Sequence, residues 1–222
     1  MAAKGEFARK GFAGARMQAI ARKAKVNKAM LHYYFGSKKN LYTRVLHRIF
    51  FAKKEQPMPI DLDRWQLEPA QKLHLVLFHL VSVHFHVLDE EYHQILAWEV
   101  AEGRKVLKTI AREFFIPRIM KLESVIKEGV KQGQFTTKNP LLVVWCLLSF
   151  FTGYGMQRDT FVGTEIEIRM YTKMTEKHML EFLLEHFSHA LGVTSIPDLS
   201  DEIKTEVLQM VQKNLAEMKE NP

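Results

Sequence analysis

No stretch of this 222-residue chain alternates apolar and polar residues long enough to make a half-buried strand, whereas apolar residues recur at helical spacing between proline and glycine breaks. An all-α fold is therefore expected. Short helical segments come first, at 2–10, 17–24 and 28–34, the first two separated by a Gly-Phe-Ala-Gly turn. A longer segment from Lys38 to about Lys54 is ended by Gln56-Pro57-Met58-Pro59. Beyond Pro69 the segments lengthen to 69–88, 90–101, 104–131, 139–156, 164–191 and 200–219. Pro117 lies inside the third of these and should kink or split it. Asn139-Pro140 supplies a cap and a first-turn proline for the next, whose LLVVWCLLSFF run is apolar nearly all round and should be buried against several partners. The expected organisation is a small N-terminal domain, residues 1–50, and a helical body, residues 51–222.

Charge separates the same two parts. Residues 1–54 hold 14 Lys and Arg against one acid, Glu6, while residues 55–222 hold 18 basic and 24 acidic side chains. A compact basic segment suits phosphate neutralisation, since each cation that meets a DNA phosphate releases a condensed counterion. A solvated surface or a membrane-contacting helix is the alternative. The opening residues MAAKGEFARKGF are charged where a secretory signal would be apolar, and the apolar run Leu141–Phe151, 11 residues long, is too short to span a bilayer. A cytoplasmic protein without membrane contact is expected. The single cysteine, Cys146, excludes an intramolecular disulfide framework and a multi-cysteine zinc site. Set among LLVVW and LLSFF, it reads as a buried small hydrophobe rather than a nucleophile. With no Gly-rich phosphate loop, nucleophile elbow or paired-carboxylate motif, neither an enzyme nor a cofactor is expected. A helical hydrolase or redox protein using Cys146 and a histidine is the enzymatic alternative.

Residues 16–35, RMQAIARKAKVNKAMLHYYF, carry the most information. Met17, Ile20, Ala21 and Ala24 form one apolar helical face and Val26, Met30 and Leu31 a second, so two short helices can share a small core. Asn27 suits the N-cap of the second helix, and the gap fits a helix-turn-helix. Asn27, Lys28, His32 and Tyr33 then point away from that core. Lys28 can reach a phosphate or a guanine edge, Asn27 and His32 can bond bases or backbone, and the Tyr33 hydroxyl can meet a phosphate. A generic helical hairpin with a solvated face is the competing reading.

The stretch FARKGFAGARMQAIARKAKVNKAMLHYYFGSKKNLY resembles the DNA-binding segment of tetracycline-repressor (TetR) family regulators. The resemblance rests on Phe7, Gly11-Phe12, Ile20-Ala21, Leu31-His32-Tyr33-Tyr34-Phe35, Ser37-Lys38 and Leu41. It implies a three-helix helix-turn-helix domain joined to a ligand-binding and dimerisation bundle. It also implies phosphate contacts around Arg16 and Met17, groove contacts by Lys28, His32 and Tyr33, and a phosphate grip by Lys38. The last has an independent reason, because a helix N-terminus capped by Ser37 already favours an anion. Phe12, Ile20, Leu31 and Phe35 should be core. Arg16 stands where the family often has a Ser or Thr cap. Lys25 replaces the usual turn glycine, a cost on the order of 1 kcal/mol if the backbone there is left-handed. The first helix is short against the family's, which carries one or two further turns ahead of the position of Ala2.

By the same resemblance the body binds a small molecule, and residues 139–156 and 164–191 pair two copies into a homodimer that reads a pseudo-palindromic duplex as a repressor. Met170, Met174, Leu180, Leu183, Leu184, Phe187 and Leu191 would supply the apolar surface, intrachain packing being the alternative. Phe78, Phe85, Trp98, Phe114, Trp145, Phe150 and Tyr154, with Phe115 and Phe151, are the aromatic candidates for a pocket or for plain core. Among the 10 histidines, His79, His86 and His93 recur every seven residues beside His84, which raises a metal- or heme-responsive regulator as an alternative. A heptad on one helix spreads too far to close a ligand shell alone, so no metal is expected.

Overall fold

The computed structural model describes residues 2–50, 60–103 and 106–220, and all regular structure in them is helical. The residues divide into two compact units. One joins residues 1–54 to 88–115 and the last six residues; the other holds residues 55–87 and 116–216. The N-terminal unit is thus larger than the 1–50 segment. The expected end of the fourth helix near Lys54 and its proline break lie outside the described residues.

In the N-terminal unit, α1 (Ala2–Gly14), α2 (Met17–Lys23), α3 (Lys28–Phe35) and α4 (Lys38–Phe50) share a core with α6 (Glu90–Ala101) and α7 (Leu107–Ile110). Phe7, Ile20, Tyr42, Leu46, Ile95 and Ile110 are its most deeply buried members, and Phe7 meets Tyr42 edge-on at 4.7 Å. The expected turn after Lys10 is a kink inside α1. Gly11 takes φ 64°, and a Cβ there would lie 2.8 Å from the Trp98 ring and 2.6 Å from the Glu102 carboxylate. Both the left-handed backbone and the close approach of α6 call for glycine. Trp98 donates from Nε1 to the Ala8 carbonyl at 2.9 Å, Glu102 accepts from the Ala13 N–H at 3.0 Å, and Lys4 pairs with Asp89. Glu99, buried, accepts from the N–H groups of Val106 and Leu107 and so holds the start of α7.

The predicted helix over 104–131 is divided, and its first two residues lie outside the described ones. A π-helical turn, Ala111–Phe115, follows α7, and α8 (Ile116–Lys131) follows the turn. Pro117 gives the reason: it offers no N–H and its ring crowds the carbonyl four residues back, so the wider turn lies just ahead of it.

The body unit packs α5 (Pro69–His86) against α8 and α11 (Glu176–Leu191), with α9 (Pro140–Gln157) against α8 and α12 (Asp201–Glu220) adding Val207 to the core. Leu75, Leu77, Val81, Ile126, Val144, Leu147, Leu183 and Phe187 fill it. A helix running unbroken from 164 to 191 was expected. Instead a short helical turn, α10 (Glu165–Glu167), runs into a π turn, Ile168–Thr172, and α11 restarts where Thr175 Oγ1 accepts from the His178 N–H at 3.2 Å. A hydroxyl cap placed mid-segment is the physical cause.

Candidate nucleic-acid interface

The α2–α3 pair is built from its caps. Lys25, between the helices, sits at φ 55°, the left-handed conformation that a side chain there makes costly. Lys25→Gly should raise unfolding stability by about 0.5–1 kcal/mol, seen as a higher urea midpoint with an unchanged slope. An unmoved midpoint would show that the turn is unstrained. Asn27 then caps α3, its Oδ1 accepting from the Met30 N–H at 2.7 Å, as the sequence led one to expect. Gly36, at φ 71°, closes α3, and the His32 ring Nδ1 lies 3.2 Å from the Gly36 carbonyl.

Leu31 is the residue that anchors α3 inward, and the opposite face is open. Tyr33 is 85% exposed and Tyr34 is open beside it, while Lys28, Ala29 and His32 are exposed as well. Met30, expected in the core, is 41% exposed, because Leu31 and the half-buried Val26 and Phe35 suffice to seat so short a helix. Ala29 is the outward residue of α3 that motif reasoning passed over, and turning the helix by about 100° per residue from Leu31 would have found it, whereas Tyr34, about 60° from Leu31 on that count, is open only because it lies in the last turn.

The remaining candidate contacts are placed unevenly. Arg16 is exposed at the N-cap position of α2 and makes no side-chain cap there. The Met17 side chain is buried in the core, so only its backbone is left for a phosphate. Ser37 Oγ accepts from the Asn40 N–H at 3.1 Å, capping α4 as expected. Lys38 bends back instead of standing free: Nζ donates to the Ala13 carbonyl at 3.1 Å and lies 4.8 Å from the centre of the Phe12 ring. Glu6 is fully buried, with Arg9 at 2.9 Å and Lys23 at 3.2 Å. The Arg9 guanidinium, helped by Lys23 and opposed by burial, holds that carboxyl below the usual carboxylate range. The one acid of residues 1–54 is therefore internal and ionised, and the outer surface of the segment keeps its positive sign.

A model of the tetR family of bacterial regulatory proteins matches residues 1–45. The HTH-type transcriptional repressor NicS of Pseudomonas putida is 35% identical over 168 residues, spanning 72% of this chain and 76% of the relative. The chain belongs to the tetR family. The HTH-type transcriptional repressor SCO4008 of Streptomyces coelicolor is 32% identical over 144 residues, 63% of this chain and 66% of the relative. The solved structure of HlyIIR, a hemolysin II transcriptional regulator, superposes with a TM-score of 0.55 at 26% identity, covering 78% of this chain and 93% of its own. This tetR-family protein is a DNA-binding transcriptional regulator of all-α fold, not an enzyme, and nothing favours the metal, heme or hydrolase alternatives.

In the regulator's body the aromatic candidates do not converge. Trp98 and Phe114 belong to the N-terminal unit, where Phe114 packs against the core and Trp98, 38% exposed, covers Gly11 of α1, and Trp145 is 59% exposed on α9. Phe78, Phe85, Phe150 and Tyr154 stay in the body, where the His84 ring packs 5.0 Å from that of Tyr154. Cys146, expected buried, is exposed. The expectation that its helix is enclosed on all sides fails for the same reason: Val143, Val144 and Leu147 fill the core while Leu141, Leu142 and Trp145 face out. With the 3-10 turn Arg158–Phe161 that follows it, α9 gives a stretch, Pro140–Phe161, long and apolar enough to cross a membrane, which counting the uninterrupted run alone missed. The histidine heptad does not share one helix: His79 and His86 are on α5 and His93 is on α6. Leu183, Phe187 and Leu191, expected at a subunit interface, are internal, and Phe182 is the large apolar residue of α11 turned outward.

Proposed function

We propose that the protein is a homodimeric cytoplasmic repressor whose two copies of α3 enter adjacent major-groove segments of a pseudo-palindromic operator, and which a small apolar or planar molecule releases. The observation that carries this reading is the open face of α3, with Tyr33 at its outermost point on a segment whose only acid is buried. Lys28, Tyr33 and His32 make the groove and flanking phosphate contacts, with the Asn27 amide nitrogen beside them. Arg16 and the backbone at Met17 meet phosphate at the start of α2. Lys38 orients the helices through Ala13 and keeps its remaining donors for phosphate. The second copy lies against α9 and α11, whose outward row of Leu141, Leu142, Trp145 and Phe182 suits a subunit rather than lipid, because the inward side of the same helices is already core. Effector bound near Phe78, Phe85, Phe150 and Tyr154 would favour a body conformation in which the two reading helices are spaced wrongly for DNA.

Selection of bound sequences from random duplexes tests the reading. A two-fold symmetric site is expected, with affinity falling steeply as salt rises. Tyr33→Ala should weaken binding to that site by about 1–3 kcal/mol, or roughly fivefold to 150-fold, with unchanged circular dichroism because the ring is solvent-exposed. Full affinity in that variant would remove α3 from the interface.

A further inference from the structure

Hydrogen-bond bookkeeping on α3 says which bases it can read and which it cannot. Adenine is normally recognised through paired bonds from Asn or Gln, and cytosine through an acceptor such as a carboxylate. The helix, KAMLHYYF, contains no Asn, Gln, Asp or Glu. Its N-cap Asn27 has committed Oδ1 to the Met30 N–H, so it cannot make the paired contact to adenine without uncapping the helix. His32 has one ring nitrogen against the Gly36 carbonyl. On the first turn, whose side chains reach base edges in a helix-turn-helix, there remain one cation, Lys28, and two apolar groups, Ala29 and Met30, all three exposed. Ala29 and Tyr33 lie opposite the inward Leu31, at the middle of the outward face. The short Ala29 side chain lets the helix approach the groove floor, and Met30 flanks it with a flexible thioether.

We infer that α3 recognises A·T pairs through the C5-methyl of thymine, with Ala29 and Met30 as the specificity-determining contacts, while Lys28 reads guanine. The inference rests on α3 being the reading helix. The methyl is the one group that distinguishes thymine from uracil in the major groove, so the contact can be deleted from the DNA alone. In the selected operator, replacing single thymines by deoxyuridine should weaken binding about fourfold at one or two positions in each half-site, the worth of burying one methyl-sized group, and leave flanking thymines silent. Met30→Ala, at an exposed site, should erase the uracil effect at one of those positions and spare the other. If uracil is tolerated everywhere while Tyr33→Ala still loses affinity, α3 reads DNA but not by methyl contact, and the inference is overturned. A Met30→Ala protein with the wild-type uracil profile would likewise overturn its assignment. Loss of no affinity in Tyr33→Ala would instead overturn the reading beneath it.

Discussion

Trp145→Glu should leave the fold intact, separate the proposed dimer and take operator binding with it. On α9, Leu141, Leu142, Trp145 and Cys146 form one exposed stripe at helical spacing, and Phe182 of α11 stands open beside it, 6.4 Å from the Phe150 ring. Trp145 is 59% exposed, and removing a tryptophan that anchors an interface costs about 2–4 kcal/mol. Two-fold symmetry doubles any such contribution, because the same residue is lost from both sides. Glutamate adds two desolvated like charges to what is removed. The dimer constant should therefore weaken by about a thousandfold or more in sedimentation equilibrium. With one reading helix per particle, binding to the full operator loses the effective-concentration gain of linked sites, on the order of a hundredfold or more. Circular dichroism and thermal unfolding at high protein concentration serve as the folding control. A variant that still sediments as a dimer would place the interface elsewhere.

How much of this could be read from the residues differs between the two units. The α2–α3 turn was legible in detail because its determinants are local: Asn27 and Ser37 cap where caps were expected, and Lys25 adopts the left-handed backbone that its replacement of glycine implied. The body was legible as helices and less so as faces. Met179, Leu183, Phe187 and Leu191 of α11 repeat every four residues and are internal, while Phe182 is outward; periodicity reveals that a helix has an apolar face, and when a second apolar position stands off that face it does not say which is core. Trp98 shows the same limit at longer range. Its partners are Gly11 and the Ala8 carbonyl, far away in sequence, and no local pattern links them. Met30 failed for the opposite reason: in an eight-residue helix the buried Leu31 and half-buried Phe35 suffice as anchors, and Met30 is left to the surface.

Acid should unfold the regulator earlier than its carboxylates alone would, with His79 as the main cause. The ring is buried on α5, and among the described residues neither nitrogen finds a hydrogen-bond partner. Burial, with a smaller contribution from the Arg118 charge, pushes its pKa from 6.5 down to about 4. Between those values the unfolded chain binds a proton that the folded chain refuses, so falling pH favours unfolding. This contribution to stability is complete above about pH 6.5 and declines by about 1.4 kcal/mol per pH unit to a total of roughly 3 kcal/mol near pH 4. His74, pushed down by burial against the opposing Pro197 carbonyl and Asp198, acts in the same direction. The depressed carboxyls of Glu6 and Asp198 follow a lower window: their contribution is full above the ordinary carboxylate range and is lost as pH falls through their folded values. The windows are separable by mutation. His79→Leu, close in volume, deletes the titration together with the two unsatisfied nitrogens, so it should be more stable than the parent by about 1–3 kcal/mol at pH 7 and by roughly 2 kcal/mol more at pH 5. Its stability should fall less steeply from pH 7 to 5 than the parent's, the remaining slope there being that of His74, with the carboxylates adding to it only at lower pH. Urea unfolding across that range reads both quantities, and superimposable pH profiles for the two proteins would show that His79 is solvated or paired in solution.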